Sequence, residues 1–156
     1  MNAAPLARRV DALEALFRHI AATRMDGVPV LNERLAVRAV GFEAVGEAAC
    51  GVLVTPWFMN LVWLPSPDEA PLAPGASRAR FVGPERFDFI GAHEEGFGAY
   101  EACSLFSPMF EFEDQAAALA TAAEVLAILR APPPAPPEQV AVPARRALLL
   151  GRGAAA

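Results

Sequence analysis

The segment GVLVTPWFMNLVWLP, residues 51–65, decides how the rest of the chain is read. It holds both tryptophans, Trp57 and Trp63, with Phe58, Met59 and a run of aliphatic residues around one central proline. Tryptophan and phenylalanine gain most when fully desolvated, so the segment anchors either a core or an interface. Pro56 has no amide proton to give to a ladder, which places it at an edge, a bulge or a bend. The expectation is a bent pair, with one strand from Cys50 to Thr55 and another from Phe58 to Leu64. Pro56, Asn60 and Pro65 interrupt the run, which falls short of the roughly 20 residues a helix needs to cross a bilayer.

On the N-terminal side, Leu35–Val45 alternates loosely and is rich in β-branched residues, and Gly46-Glu47 offers a turn, so a hairpin with the strand at Cys50 is expected. Within residues 6–22, Val10, Leu13, Leu16, Phe17 and Ile20 recur at spacings of three and four, the signature of an amphipathic helix that Gly27 and Pro29 would end. On the C-terminal side, residues 65–78 are rich in Pro, Ser, Asp and Ala and read as a surface loop. Arg86–Ala92, with Phe87, Phe89 and Gly91 on one face, and Tyr100–Phe106 form a second hairpin around the turn His93–Gly98. Glu111–Asp114 opens a helix that runs through Arg130, acidic at its start and basic at its end as the helix dipole favours. Ala131–Gln139, APPPAPPEQ, reads as a stiff extended connector. Arg145–Arg152, RRALLLGR, suits a short added strand, and residues 153–156 are expected to fray. Strands grouped between two helices give an α+β fold, one domain over residues 1–156 with a central antiparallel sheet, an N-terminal helix, a helix near 113–130 and a short C-terminal strand.

At 156 residues the chain can bury a core without metals or disulfides as staples. A net charge of -5 argues against nucleic-acid binding, which needs concentrated positive charge. Arg8-Arg9 is followed by Asp11 and Glu14 within a helical pattern, where an export signal would need an uninterrupted apolar region, so a cytoplasmic protein is expected. Its two cysteines, Cys50 and Cys103, are then reduced thiols.

Catalytic chemistry finds few candidates. Cys103-Ser104 and His93 are the best nucleophile and base, with a geometry that is plausible across a hairpin, although a cysteine between Ala102 and Leu105 also reads as a small buried hydrophobe. Cys50, Cys103, His19 and His93 show no short metal-ligand spacing. Glu94-Glu95 reads as a solvated turn and Glu111, Glu113 and Asp114 as a helix start, and no phosphate-binding glycine motif is present. No catalytic residue, metal or cofactor is therefore expected. What remains is apolar: Trp57, Phe58, Met59, Trp63, Leu105, Phe106, Met109, Phe110 and Phe112 exceed what one buried face requires, so some are expected at the surface.

Three blocks, GVLVTPWFMNLVWLP at 51–65, CSLFSPMFEF at 103–112 and RRALLLGR at 145–152, occur in the order of the HybE/HupJ family of nickel-iron hydrogenase assembly chaperones, which the chain resembles through most of its length. The resemblance implies a non-catalytic accessory protein. It would bind immature nickel-iron hydrogenase subunits in the cytoplasm, during maturation and before export, with no nucleic acid and no membrane insertion. The paired C-x-x-C motifs of the rubredoxin module fused to some relatives are absent, so no iron site carries over. Thr55-Pro56-Trp57 and Ser104–Pro108 fall on the family's central blocks, and Arg145 and Arg146 on its C-terminal block. On that footing Trp57, Phe58, Phe106, Met109 and Phe110 are expected to line an apolar docking surface, with Arg145 and Arg146 meeting carboxylates at its rim. An open strand edge, near Pro56 or at 145–152, could pair with a client strand or a second copy. The alternatives are a small-molecule-binding α+β domain and a cysteine-dependent enzyme using Cys103.

Overall fold

The computed structural model describes residues 3–132. Two helices, α1 (Ala3–Ala22) and α2 (Gln115–Arg130), flank one six-stranded antiparallel sheet. The strands are β1 (Arg38–Val45), β2 (Ala48–Val54), β3 (Met59–Leu64), β4 (Ser77–Val82), β5 (Glu85–Glu94) and β6 (Gly98–Phe106), in the spatial order β1-β2-β3-β6-β5-β4. The α+β class, both helices and both expected hairpins are thus present. The connector 131–139 beyond Pro132, the strand expected at 145–152 and the tail 153–156 lie outside the described residues.

The density of apolar residues around 51–65 has a simple cause: β2 and β3 sit inside the sheet with a helix against each face. Cys50, Val52, Val54, Met59, Leu61 and Trp63 point to the α2 side, where Ala118, Ala122, Leu126 and Leu129 meet them. Ala49, Leu53, Val62 and Leu64 point to the α1 side and meet Leu13, Phe17 and Ile20. A strand buried on both faces loses the polar-apolar alternation and reads as a continuous apolar run. Pro56 occupies the bend between β2 and β3, as expected, but neither strand is an edge. The open edge anticipated near Pro56 is therefore corrected; the sheet ends at β1 and β4.

β4 itself overturns part of the expected loop at 65–78, which ends where the strand begins at Ser77. A two-residue turn, Gly83-Pro84, joins it to β5. Gly83 has φ +60°, and a Cβ there would overlap the carbonyl oxygen of Leu129 in α2. On the opposite edge Gly41, at φ +64° within a β1 bulge, lies under Leu126, whose Cδ1 would be 2.6 Å from an added Cβ. Both edges therefore come back to α2, so the sheet curls around that helix, and we call the α2 side its inner face and the α1 side its outer face. Asp114 caps α2 by accepting a hydrogen bond from the Ala117 amide at 2.8 Å.

Candidate functional site

One end of the sheet gathers the aromatic blocks. Thr55, fully buried, shapes the bend after β2: its amide donates to the Phe58 carbonyl, and its Oγ1 accepts from the amides of Trp57 and Phe58. A hydroxyl saturating the turn amides is what lets a proline-containing bend sit next to two buried strands. The strand order brings the end of β6 to the start of β3, with Phe106 opposite Met59, so the loop 107–112 arrives beside this bend.

Asn32, buried in the connection between α1 and β1, ties the two together. Its amide donates to the Pro56 carbonyl at 2.8 Å, and its Nδ2 donates to the carbonyls of Met109 at 2.9 Å and Phe112 at 3.0 Å. Its Oδ1 accepts from the Arg34 amide. One buried residue, through its amide and its side chain, thereby satisfies polar atoms from two loops, and leaving such groups unpaired costs about 1–3 kcal/mol each.

The described docking candidates share this end but not one face. Trp57 and Phe58, both half-buried, pack on the outer side in an aromatic group with Phe17, whose ring lies 6.3 Å and 5.6 Å from theirs. Phe106 is half-buried on the inner side, edge-on to Phe112 at 5.2 Å. Phe110 is 56% exposed. Met109 has no exposed surface, so its side chain belongs to the core and its place on a docking surface is corrected. Arg145 and Arg146 lie outside the described residues.

Between Phe58 and the outer face of β5 and β6 a groove of about 190 Å³ is lined by Phe17, Asn60, Ile90, Tyr100 and Ala102 among others. Asn60 Oδ1 is buried there without a hydrogen-bond partner among the described residues. Burial, assisted by the Glu94 carboxylate, pushes the Tyr100 hydroxyl up to about 12.

The candidate pair of Cys103 and His93 is not assembled. In the β5–β6 register His93 lies opposite Ala99, while Ile90 lies opposite Ala102. Cys103 is thus four positions along the ladder from His93, about 13 Å at a rise of ~3.3 Å per residue. Burial first, then the Asp88 carboxylate, raises the Cys103 thiol above its ordinary range, the reverse of activation. Cys50 is buried and pushed up to about 11 by desolvation. No group of three metal-ligating side chains occurs among the described residues.

Sequence reading missed the most highly charged cluster. On the inner face Glu101 of β6 is 1% exposed and takes both arms of Arg80, Nε to Oε1 at 2.7 Å and Nη2 to Oε2 at 2.9 Å. Arg80 also donates to Glu69 at 2.9 Å, and Arg78 donates to the same Glu69 oxygen at 2.8 Å. The Arg80 guanidinium stacks 4.3 Å from the centroid of a Trp63 ring. The bond from Arg80 holds the Glu69 carboxyl below the usual carboxylate range, and Glu101 raises Arg80 further. A signal existed in the spacing: Arg78 and Arg80 share one strand face, and Glu101 lies between apolar neighbours.

Comparison with known proteins agrees with this architecture. The family model described as NiFe-hydrogenase assembly, chaperone, HybE matches residues 8–151. The chain is 49% identical to Protein HoxT of Cupriavidus necator, covering 92% of this chain and 89% of that protein. It is 46% identical to the hydrogenase expression/formation protein HupT of Azotobacter chroococcum, over 88% of this chain and 91% of that one. The solution structure of HybE from Escherichia coli superposes with a TM-score of 0.64 at 23% identity, covering 94% of this chain and 91% of that chain, and shares the fold.

Proposed function

The chain belongs to the HybE family of nickel-iron hydrogenase assembly chaperones and is an accessory maturation protein, and from that premise we propose that it holds an immature hydrogenase subunit at the aromatic end of its sheet, without catalysis, in the cytoplasm before export. Its immediate partners are hydrogenase-related, and no helix among the described residues is long and apolar enough to cross a membrane.

One observation carries the reading: Phe110 stands 56% exposed on a loop that Asn32 fastens to the Trp57-Phe58 bend. A large apolar side chain held outward by a buried polar staple is a preformed contact, and preformed contacts lose less entropy on binding. Trp57 and Phe58 on the outer side and Phe106 on the inner side add half-buried aromatic surface at the same end of the sheet that a client could cover. Arg145 and Arg146 would supply charge at the rim. The outer groove beside Phe58 gives the small-molecule reading little support, since it falls below the roughly 300 Å³ at which ligand pockets begin. The cysteine-enzyme reading loses its base with the separation of His93 from Cys103.

The test is capture of the tagged full-length chain from a host with an active nickel-iron hydrogenase operon, with mass spectrometry of what stays bound. Recovery of an unprocessed subunit, reduced about tenfold by Phe110→Asp at unchanged Tm, is expected; capture of no subunit during active maturation would overturn the proposal.

A further inference from the structure

The two edges of the sheet are finished differently, and the difference points to a binding strand. Along β1 two backbone groups are occupied by side chains, one from each helix. Glu14 of α1 accepts from the Ala39 amide at 2.7 Å, and Arg130 of α2 donates to the Gly41 carbonyl at 2.7 Å. Just before the strand, Gln115 bonds both the amide and the carbonyl of Ala36.

β4 carries no such covering among the described residues. Its alternation is set at both ends: the Gly91 amide donates to the Ala76 carbonyl at 2.8 Å, and the two-residue turn makes Val82 and Glu85 the closing pair. Residues 76, 78, 80 and 82 therefore turn their backbone groups to β5, and Ser77, Ala79 and Phe81 turn theirs outward. On the outer face of this strand Phe81, opposite Arg86, is 68% exposed, and at the other end of the pair Ile90 of β5, opposite Ser77, is 45% exposed. The same face continues through Ile90 into the groove beside Phe58.

We infer that β4 is a docking edge for an extended segment of the client polypeptide, which adds to the sheet as a seventh strand; the inference rests on the chaperone reading above. Three outward amides and three carbonyls give the backbone ladder that strand addition uses. Alternate side chains of the added strand fall on either face. Those beside Ala79 and Phe81 meet apolar surface, and those on the inner face meet Arg78, whose side chain is 31% exposed beside its bond to Glu69. The segment that fits alternates apolar residues with acidic or neutral polar ones.

A second copy fits poorly. Antiparallel self-pairing of β4 centred on Arg78, Ala79 or Arg80 sets arginine opposite arginine in every case, and like charges directly opposite are destabilising. The side-chain chemistry of the edge therefore discriminates against its own kind and favours a carboxylate-bearing strand.

The experiment uses the full-length chain and 15-residue peptides tiled across the immature large and small hydrogenase subunits of its host. Ala79→Pro removes one outward amide and leaves the β4–β5 ladder intact, and Phe81→Glu changes the outer face with the backbone unaltered. Expected are peptides of alternating apolar and acidic or neutral character that slow amide exchange at Ser77, Ala79 and Phe81, with binding weakened about tenfold by either variant. Peptide binding that both variants leave unchanged would overturn the edge while sparing the chaperone reading, as would capture of a whole subunit with no peptide bound. Failure to capture any subunit would overturn both. Protection of the three amides in the free chain, lost on dilution or on Leu149→Asp, would give the edge to a second copy or to residues 133–156 and overturn the proposal.

Discussion

β1 and β4 end the same sheet, yet one is sealed by side chains and the other is left with its backbone facing solvent among the described residues. Glu14, Gln115 and Arg130 close the β1 side from two helices about 90 residues apart along the chain. β4 is fastened along β5 and from behind, through Arg80 to the buried Glu101 and through Gly83 under Leu129. An exposed edge is a hazard for a folded protein and is normally blunted. Two edges treated so differently show that blunting was feasible in this fold. The open edge carries the more exposed large apolar side chain, Phe81 at 68% against 50% for Val45 of β1.

The largest change should come from Arg80→Met, which strands the Glu101 carboxylate in the inner face; breaking a buried pair this way costs about 3–5 kcal/mol. Urea denaturation should show that loss, and adding Glu101→Leu should restore much of it. If the single variant were as stable as the parent, the anchoring of β4 from behind would be wrong. Next is Gly83→Ala, which combines a left-handed backbone with overlap on α2, for about 3 kcal/mol together. The midpoint should fall by about 9 °C, at ~2–4 °C per kcal/mol for a chain of this size.

Glu14→Ala sharpens the contrast rather than breaking it. It should cost about 1 kcal/mol and speed exchange of the Ala39 amide towards the rate of Ala79. The smallest effect is that of pH on Glu69. Its folded carboxyl titrates below its unfolded value because Arg80 bonds it, so the stabilisation is complete above the ordinary glutamate range near ~4.3 and is lost as pH falls through the lower folded value. Glu69 is partly exposed, so the loss should be small, and Glu69→Gln should flatten the acid limb of the stability profile.

Most of the architecture was legible because apolar patterning is a local property. The α1 stripe, the two hairpins and the capped α2 all follow from periods of two or near four and from turn residues at short spacing. β4 was not legible for a physical reason. SRARFV has two arginines on one face and Ser77, Ala79 and an exposed Phe81 on the other, a composition that suits a solvated loop unless a buried carboxylate waits for the guanidinium. That carboxylate, Glu101, is 21 residues away from Arg80 along the chain. The docking candidates divided for a similar reason: Met109 and Phe110 are adjacent, and only the Asn32 bonds to this loop decide that one faces the core and the other faces solvent.

Read alone, the 156 residues already contain the helices, five of the six strands, the bend at Pro56 and the family to which the chain belongs. Tertiary structure decided which strands lie inside the sheet and which at its edges, where the Arg80–Glu101 pair is buried, and that His93 and Cys103 stay apart. The division is physical. Periodicity records which face of an element meets apolar surroundings, whereas strand order and buried charge pairing depend on partners 21 to 89 residues away, which no local pattern encodes.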